Sequence, residues 1–199
     1  MASGALVAAL APTRTGVAAD LSDAGQLDKL GVLITSSIVI DDLCEFKPDV
    51  STTMNEFKIG KNSGITITAP TIGSVVAEKS YHSSLTGLAR LNAGINKHAD
   101  RVLLISKFSD IEKAKRDSKI GILPNFQNST AIGTDLSRLD LFHGLGVRQI
   151  QLTHNLRNWV GDGCTERTQA GLSHFGIELV KRAIIQDRRW KICSTTSIT

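Results

Sequence analysis

Short apolar runs alternate with stretches of helical periodicity along most of this chain. Runs of the kind that form buried strands lie at residues 29–41, 63–72, 101–107, 119–126 and 147–153. Helical patterns follow them at residues 51–62, 109–118, 135–146 and 173–185. A long helix up to about His98 is marked by one apolar face of Leu85, Leu88, Leu91 and Ile95. Strands that alternate with helices predict a parallel sheet with helical crossovers. The pattern alone fits both an open doubly wound sheet and a stretch of a (β/α)8 barrel.

Several helix starts are marked by capping residues. Thr53 with Glu56, and Ser109 with Glu112, have the spacing of a capping box. Ser173 stands where it can cap the last helix. These residues predict where three of the helices begin.

Composition fits one soluble globular domain with a hydrophobic core. The chain has 199 residues, of which 41% are hydrophobic and 21% charged, and its net charge is +4. The dense basic run of Arg188, Arg189 and Lys191 has no aromatic ladder beside it, so we interpret it as a solvated end and predict no nucleic-acid partner. No segment reaches the roughly 18 to 20 apolar residues of a membrane span. The three cysteines have no CxxC spacing and indicate neither a disulfide scaffold nor a zinc ribbon.

The first 28 residues are predicted to be a leader outside the fold. An apolar run precedes small residues at Val17 and Ala19, which is typical of the latter part of an export signal, although no basic residue precedes Arg14. A disordered Ala-rich leader fits equally well. The first alternative predicts an exported protein, periplasmic or extracellular, and the second a cytoplasmic one. Residues 29–182 then form the domain, and 183–199 a divergent tail.

Candidate chemistry concentrates in one polar loop after the last predicted strand. The sequence LTHNLRNWVGDGCTER (152–167) brings His154, Asn155, Asp162, Cys164 and Glu166 to a strand's carboxyl end, where α/β folds keep their functional groups. Cys164 has no base beside it in sequence, so a packed thiol is the simpler interpretation.

This stretch resembles the membrane (renal) dipeptidase family of zinc hydrolases. LGVRQIQLTHN, GDGCTER and GLSHFGIELVKR carry the resemblance, together with ILPNFQNST, which is similar to the GFQN strand end of divergent bacterial members. The resemblance covers about residues 39–182 and is most specific over 119–182.

The resemblance implies a (β/α)8 barrel whose strand ends hold two zinc ions that activate a water for attack on a dipeptide. About five of the eight β/α units are present here. His154 matches a histidine that contacts substrate, and Asn155 follows it, so both are predicted to bind substrate.

The metal positions match poorly. Leu43 stands at the family's first-strand histidine, Glu45 at its aspartate, and Gln127 at its bridging glutamate. Leucine cannot bind a cation, and a neutral amide is a weak substitute for a carboxylate. Glu45 and Gln127 are therefore degenerate ligand positions, and zinc is expected only from the resemblance.

The tail departs from the family pattern after Arg182. Where the family continues with an NRLG turn and a strand ending in DxSH, this chain has AIIQDRRWKICSTTSIT, as a frame change or premature end would produce. Five units cannot close an eight-stranded barrel, so the fifth strand is predicted to expose an edge. That edge predicts a homo-oligomer, unless the tail covers it.

Three functions stay open on these grounds. The chain is a metallodipeptidase acting on dipeptides, or a non-catalytic, truncated relative that keeps at most a peptide-binding surface. The third alternative is an unrelated α/β module with a small-molecule site at its strand ends.

Overall fold

In a computed structural model, residues 24–44, 46–73, 77–185 and 191–193 are described. Within these residues the chain forms six helices: α1 (Ala24–Ser36), α2 (Met54–Asn62), α3 (Ala77–Lys97), α4 (Phe108–Arg116), α5 (Ser137–Gly144) and α6 (His174–Ile185). The strands are short: β1 (Ile40–Asp41), β2 (Ile67–Thr68), β3 (Val102–Leu104), β4 (Ile120–Ile122), β5 (Asn125–Phe126), β6 (Gln149–Gln151) and β7 (Lys191–Cys193). None of the described helices has the length and apolar character needed to cross a membrane.

The first predicted strand is wrong over most of its length. Residues 29–36 belong to α1, and only Ile40–Asp41 is a strand. Val32 and Leu33 are exposed, so this apolar run is not a buried strand. As part of a helix, this run satisfies its backbone groups through hydrogen bonds between residues four apart, and Thr35 Oγ1 also donates to the Gly31 carbonyl oxygen at 2.9 Å. The division into leader, domain and tail stays a prediction.

The strand pairs of the described residues run parallel, as predicted. One sheet has the order β1-β2-β4-β3 and a second the order β5-β6-β7. The chain passes directly from β4 to β5, and Thr71 beyond β2 forms a parallel bridge with Asn125. β4 and β5 therefore follow one another along the same line. On one side they lie beside β2 and the residues just after it. On the other side β4 pairs with β3, and β5 pairs with β6.

The second sheet is extended by the tail. β7 pairs with β6 in parallel, with Ile150 opposite Ile192. β6 is the fifth strand of the sequence prediction, whose edge was expected to be exposed unless the tail covered it. The tail does cover this edge, through β7. A homo-oligomer stays a prediction.

The main core lies between the sheets and helices α2, α3, α5 and α6. Phe126 and Phe142 meet edge to face with ring centroids 4.8 Å apart, and Tyr81 packs against Phe142 at 5.8 Å. Ile150 and Leu179 are fully buried in the same cluster. The predicted apolar face of the long helix is confirmed: Leu88, Leu91 and Ile95 are buried on α3, and Leu85 packs against them.

Two of the three predicted caps are confirmed. Thr53 and Glu56 form a capping box on α2, and Ser173 Oγ accepts a hydrogen bond from Gly176 N at 3.0 Å. The cap predicted at Ser109 is wrong, because α4 already begins at Phe108. Asp110 is the capping group there, since its Oδ2 accepts from the backbone N of Ser106 and Lys107.

Candidate functional site

The carboxyl ends of the strands meet at one rim, because the paired strands are parallel. Leu43 follows β1, Gln127 follows β5 and His154 follows β6 by three residues. The register places Asn125 opposite Gln149 and Phe126 opposite Ile150. The predicted site residues that the structure describes therefore share one end of the fold.

His154 is half-buried at this rim. Its ring atom Nδ1 is buried and has no hydrogen-bond partner among the described residues. Its carbonyl oxygen accepts a hydrogen bond from Cys164 N at 2.8 Å, which fixes the backbone. A buried, unpaired ring nitrogen costs free energy unless a ligand or water satisfies it. His154 Nδ1 is therefore available for a hydrogen bond with a ligand or a water, and its substrate contact stays a prediction.

Asn155 is exposed and organises the loop. Its carbonyl oxygen accepts a hydrogen bond from Thr165 N. Its Oδ1 accepts a second one from the thiol of Cys164, with 3.5 Å between Sγ and Oδ1. Gly163 makes this closure sterically feasible, because a Cβ there would stand 2.3 Å from the Asn155 carbonyl oxygen. A substrate contact by Asn155 stays a prediction.

The rest of the loop is held by Asp162, which is only 2% exposed. Its Oδ2 accepts from Ala170 N at 2.8 Å and from Thr168 Oγ1 at 2.7 Å, and its Oδ1 accepts from Arg157 Nε at 2.6 Å. These hydrogen bonds, the Ala170 amide first, lower the pKa of Asp162 to about 2. Arg157 N also donates to Glu166 Oε1, at 2.7 Å. The carboxylate is committed to the loop scaffold.

The metal positions do not form a centre in the described part of the chain. Leu43 is 57% exposed and offers no ligand atom, and Gln127 offers a neutral amide. Glu45 lies outside the described residues. No group of three or more His, Cys, Asp and Glu side chains among the described residues could hold a metal ion. The donors described here therefore do not fit a pair of zinc ions.

Two polar residues, one at the start of β6 and one in the loop after it, were not identified from the sequence. Gln149 on β6 is buried, and its Oε1 has no partner among the described residues. The alternation in VRQIQL, with Ile150 in the core, was the pattern that could have placed Gln149 on the opposite face. Asn158 ties the loops together: its Nδ2 donates to the Leu152 carbonyl at 2.9 Å and to Ser129 Oγ at 3.1 Å. No local pattern indicates such a long-range contact.

A family model matches most of this chain. The family described as Membrane dipeptidase (Peptidase family M19) matches residues 25–185. Solved structures agree with it. An amidohydrolase from Pseudomonas aeruginosa is similar with 32% sequence identity and a TM-score of 0.67, over 77% of this chain and 45% of the other.

Two further structures show the same fold at lower identity. The probable dipeptidase PvdM from Pseudomonas aeruginosa has 15% identity and a TM-score of 0.72, over 87% of this chain and 50% of its own. The metallopeptidase called dipeptidase AC has 17% identity and a TM-score of 0.53, over 72% and 47%. The predicted partial (β/α)8 barrel is thereby confirmed. This chain spans about half the length of the structures it matches.

Proposed function

Because this chain belongs to the membrane dipeptidase family of metallopeptidases, we propose that it has a dipeptidase-like function in which dipeptide binding is kept and metal-dependent hydrolysis is impaired. The proposal that dipeptide binding is kept rests on one observation: His154 Nδ1 is buried at the rim and has no hydrogen-bond partner among the described residues. The similarity to an amidohydrolase supports an amide-containing ligand.

His154 supplies a directional contact. A neutral imidazole nitrogen donates or accepts one hydrogen bond, and a peptide offers both an amide N–H and a carbonyl oxygen. The Asp162 network holds the loop that carries His154, so little loop ordering has to accompany binding. Preorganisation of this kind favours a small, polar ligand.

The proposal that metal-dependent hydrolysis is impaired rests on the residues at the family's metal-ligand positions. Two zinc ions need anionic or imidazole ligands, and Leu43 and Gln127 supply neither. The neutral amide of Gln127 cannot compensate the charge of two close cations. No hydrolytic step is therefore assigned to a metal in this chain.

Measurements of zinc retention and of dipeptide hydrolysis together test whether metal-dependent hydrolysis is impaired. We expect the purified chain, loaded with Zn²⁺ and then dialysed, to retain well under one equivalent by elemental analysis. We also expect no release of free alanine from alanylalanine above the zinc-only blank. Retention of one or two equivalents together with zinc-dependent alanine release would overturn this half of the proposal.

Binding of dipeptides and export through the leader are proposals for this chain, whereas zinc is expected for the family and is not proposed to be held by the ligand positions of this chain. A homo-oligomer is a proposal too, and β7 rather than β6 would carry the exposed edge.

A further inference from the structure

A small polar cavity lies between α3 and the end of β5. Its volume is about 10 Å³, which is close to the smallest space that holds one water molecule. Three polar residues that line it are buried: Ser80 and Ser84 of α3, and Asn128, which follows β5. Gln127 at the rim lines it as well. The cavity therefore presents polar side chains that are shielded from solvent.

Ser84 brings an unsatisfied hydroxyl to this cavity. The residue is 1% exposed, and its Oγ has no hydrogen-bond partner among the described residues. A serine inside a helix can donate to a backbone carbonyl three or four residues earlier, as the neighbouring Ser83 does to the Ser80 carbonyl oxygen at 3.2 Å. Because a buried hydroxyl without a partner costs free energy, Ser84 needs a group that the cavity has to supply.

The wall next to the Ser84 hydroxyl is the backbone of Gly73. A Cβ at Gly73 would stand 2.1 Å from Ser84 Oγ, and the φ of Gly73 is 87°, in the left-handed region. The chain after β2 can approach α3 this closely only with glycine. Glycine has no side chain that could bind the hydroxyl, so the free side of Ser84 Oγ is the cavity.

A chain of hydrogen bonds beside the cavity leaves two more polar groups free. Thr130 Oγ1 contacts Asn128 Oδ1 and, at 2.8 Å, Ser80 Oγ. A hydroxyl has one proton and an amide oxygen can only accept, so Thr130 donates to Asn128 and accepts the proton of Ser80. Within the described residues, the lone pairs of Ser80 Oγ and the protons of Asn128 Nδ2 then have no further partner.

We propose that this cavity binds one water molecule, held by Ser80, Ser84 and Asn128. The water donates to Ser80 Oγ and accepts from the Ser84 hydroxyl and from Asn128 Nδ2, which is the roughly three hydrogen bonds that a buried water makes. A bridging water of this kind is nearly as favourable as a direct hydrogen bond. It joins α3 to the chain after β5, and so supports the strand end that carries Gln127 at the rim.

A crystal structure of the full chain, at a resolution that shows ordered water, tests the proposal directly. We expect one density peak in the cavity, within hydrogen-bonding distance of Ser84 Oγ, that refines as a fully occupied water. A cavity without density would overturn the proposal, and so would a peak that refines only as a heavier ion.

The melting temperature of Ser84→Ala distinguishes a hydrated cavity from a dry one in solution. With the water in place, we expect this variant to melt a few degrees lower, because the water loses a partner. In a dry cavity the same change removes an unpaired hydroxyl and improves helix propensity, so the melting temperature would stay the same or rise. The matched control is Ser83→Ala, whose hydroxyl does not line the cavity and which should melt as the native chain does. An unchanged or higher value for Ser84→Ala, or an equal fall in both variants, would overturn the proposal.

Hydrogen exchange tests whether the water supports the chain after β5. Thr130 N donates to Asn128 Oδ1 at 2.9 Å, and the water holds the same amide group from its Nδ2. In Ser84→Ala the amide proton of Thr130 should therefore exchange several times faster, and in Ser83→Ala at the native rate. Unchanged protection of Thr130 in Ser84→Ala would overturn this supporting role.

Discussion

Asp162 shows how a single buried carboxylate organises the candidate site. It accepts hydrogen bonds from the Ala170 amide, the Thr168 hydroxyl and the Arg157 guanidinium. An unprotonated carboxylate accepts all of them, and removing its charge would leave Arg157 without its partner. The loop that begins at His154 is therefore stabilised by one ionised side chain.

Asp162→Asn should lower the melting temperature by several degrees at pH 7, because the amide cannot accept all three donors. The folded pKa of about 2 lies below the ordinary 3.8, so this stabilisation is present above pH 4 and is lost as the pH falls toward 2. Thermal melts from pH 7 to pH 2 should show the native and variant curves converging.

Asp100→Asn is the matched control, since the ion pair of Asp100 with Arg101 is solvent-exposed. A similar loss in Asp100→Asn, or a gap for Asp162→Asn that persists at pH 2, would contradict this account.

Some of the individual side chains of the candidate site could be predicted from the sequence, and others could not. His154 was identified through its motif, and the structure places it at the rim with a buried, unpaired nitrogen. The hydrogen bonds of Asp162 were not predicted, because they join residues that only the folded loop brings together. Glu45 lies outside the described residues, so its metal role stays a prediction.

At the level of elements, Gly94 determines how the loop after β1 meets α3. A methyl group there would stand 2.5 Å from Asp49 Cα and 2.3 Å from the Pro48 carbonyl oxygen, and backbone atoms cannot rotate away. The loop would therefore have to move away from the helix.

Gly94→Ala should lower the free energy of unfolding by about 1–3 kcal/mol, as overpacking does. Gly31→Ala in α1 is the control: no atom lies within 4 Å of its added Cβ, so its stability should stay the same or rise by up to about 1 kcal/mol. Urea denaturation measures both, and equal stabilities for the two variants would refute the close contact.

Elements were predictable where the pattern is local. The periodicity of α3 and the capping box of α2 depend on neighbours within one or two turns, and both predictions are confirmed. The apolar run at residues 29–36 has neither a capping box nor a clear periodicity. A helix and a strand fit such a run equally well, and only the long-range pairing of strands decides between them.

On the scale of the whole molecule, the strand order was beyond local patterns. β4 lies between β2 and β3, so the third strand occupies an edge rather than its place in sequence. That order depends on which long-range pairs form, and the pattern of five β/α units does not show which strands become neighbours. The parallel direction was predictable from the crossovers.

The two sheets share one hydrophobic core, because Ile122 of β4 and Ile150 of β6 are buried in the same cluster as Phe142, and this predicts cooperative unfolding. Phe142 is fully buried and contacts both Phe126 and Tyr81. Phe142→Ala should cost about 3–5 kcal/mol through lost burial and a cavity. Urea transitions followed by circular dichroism and by tryptophan fluorescence should shift together. Two separated transitions would show that the sheets unfold independently.

The central claim is that this chain binds dipeptides at His154 without holding a metal. Calorimetric titration of alanylalanine into the chain, after treatment with a chelator, tests it most directly. We predict saturable binding to the metal-free chain, at least tenfold weaker in His154→Ala and unchanged in the exposed control His174→Ala. Absence of binding after chelation, or equal binding by the native chain and His154→Ala, would contradict the claim.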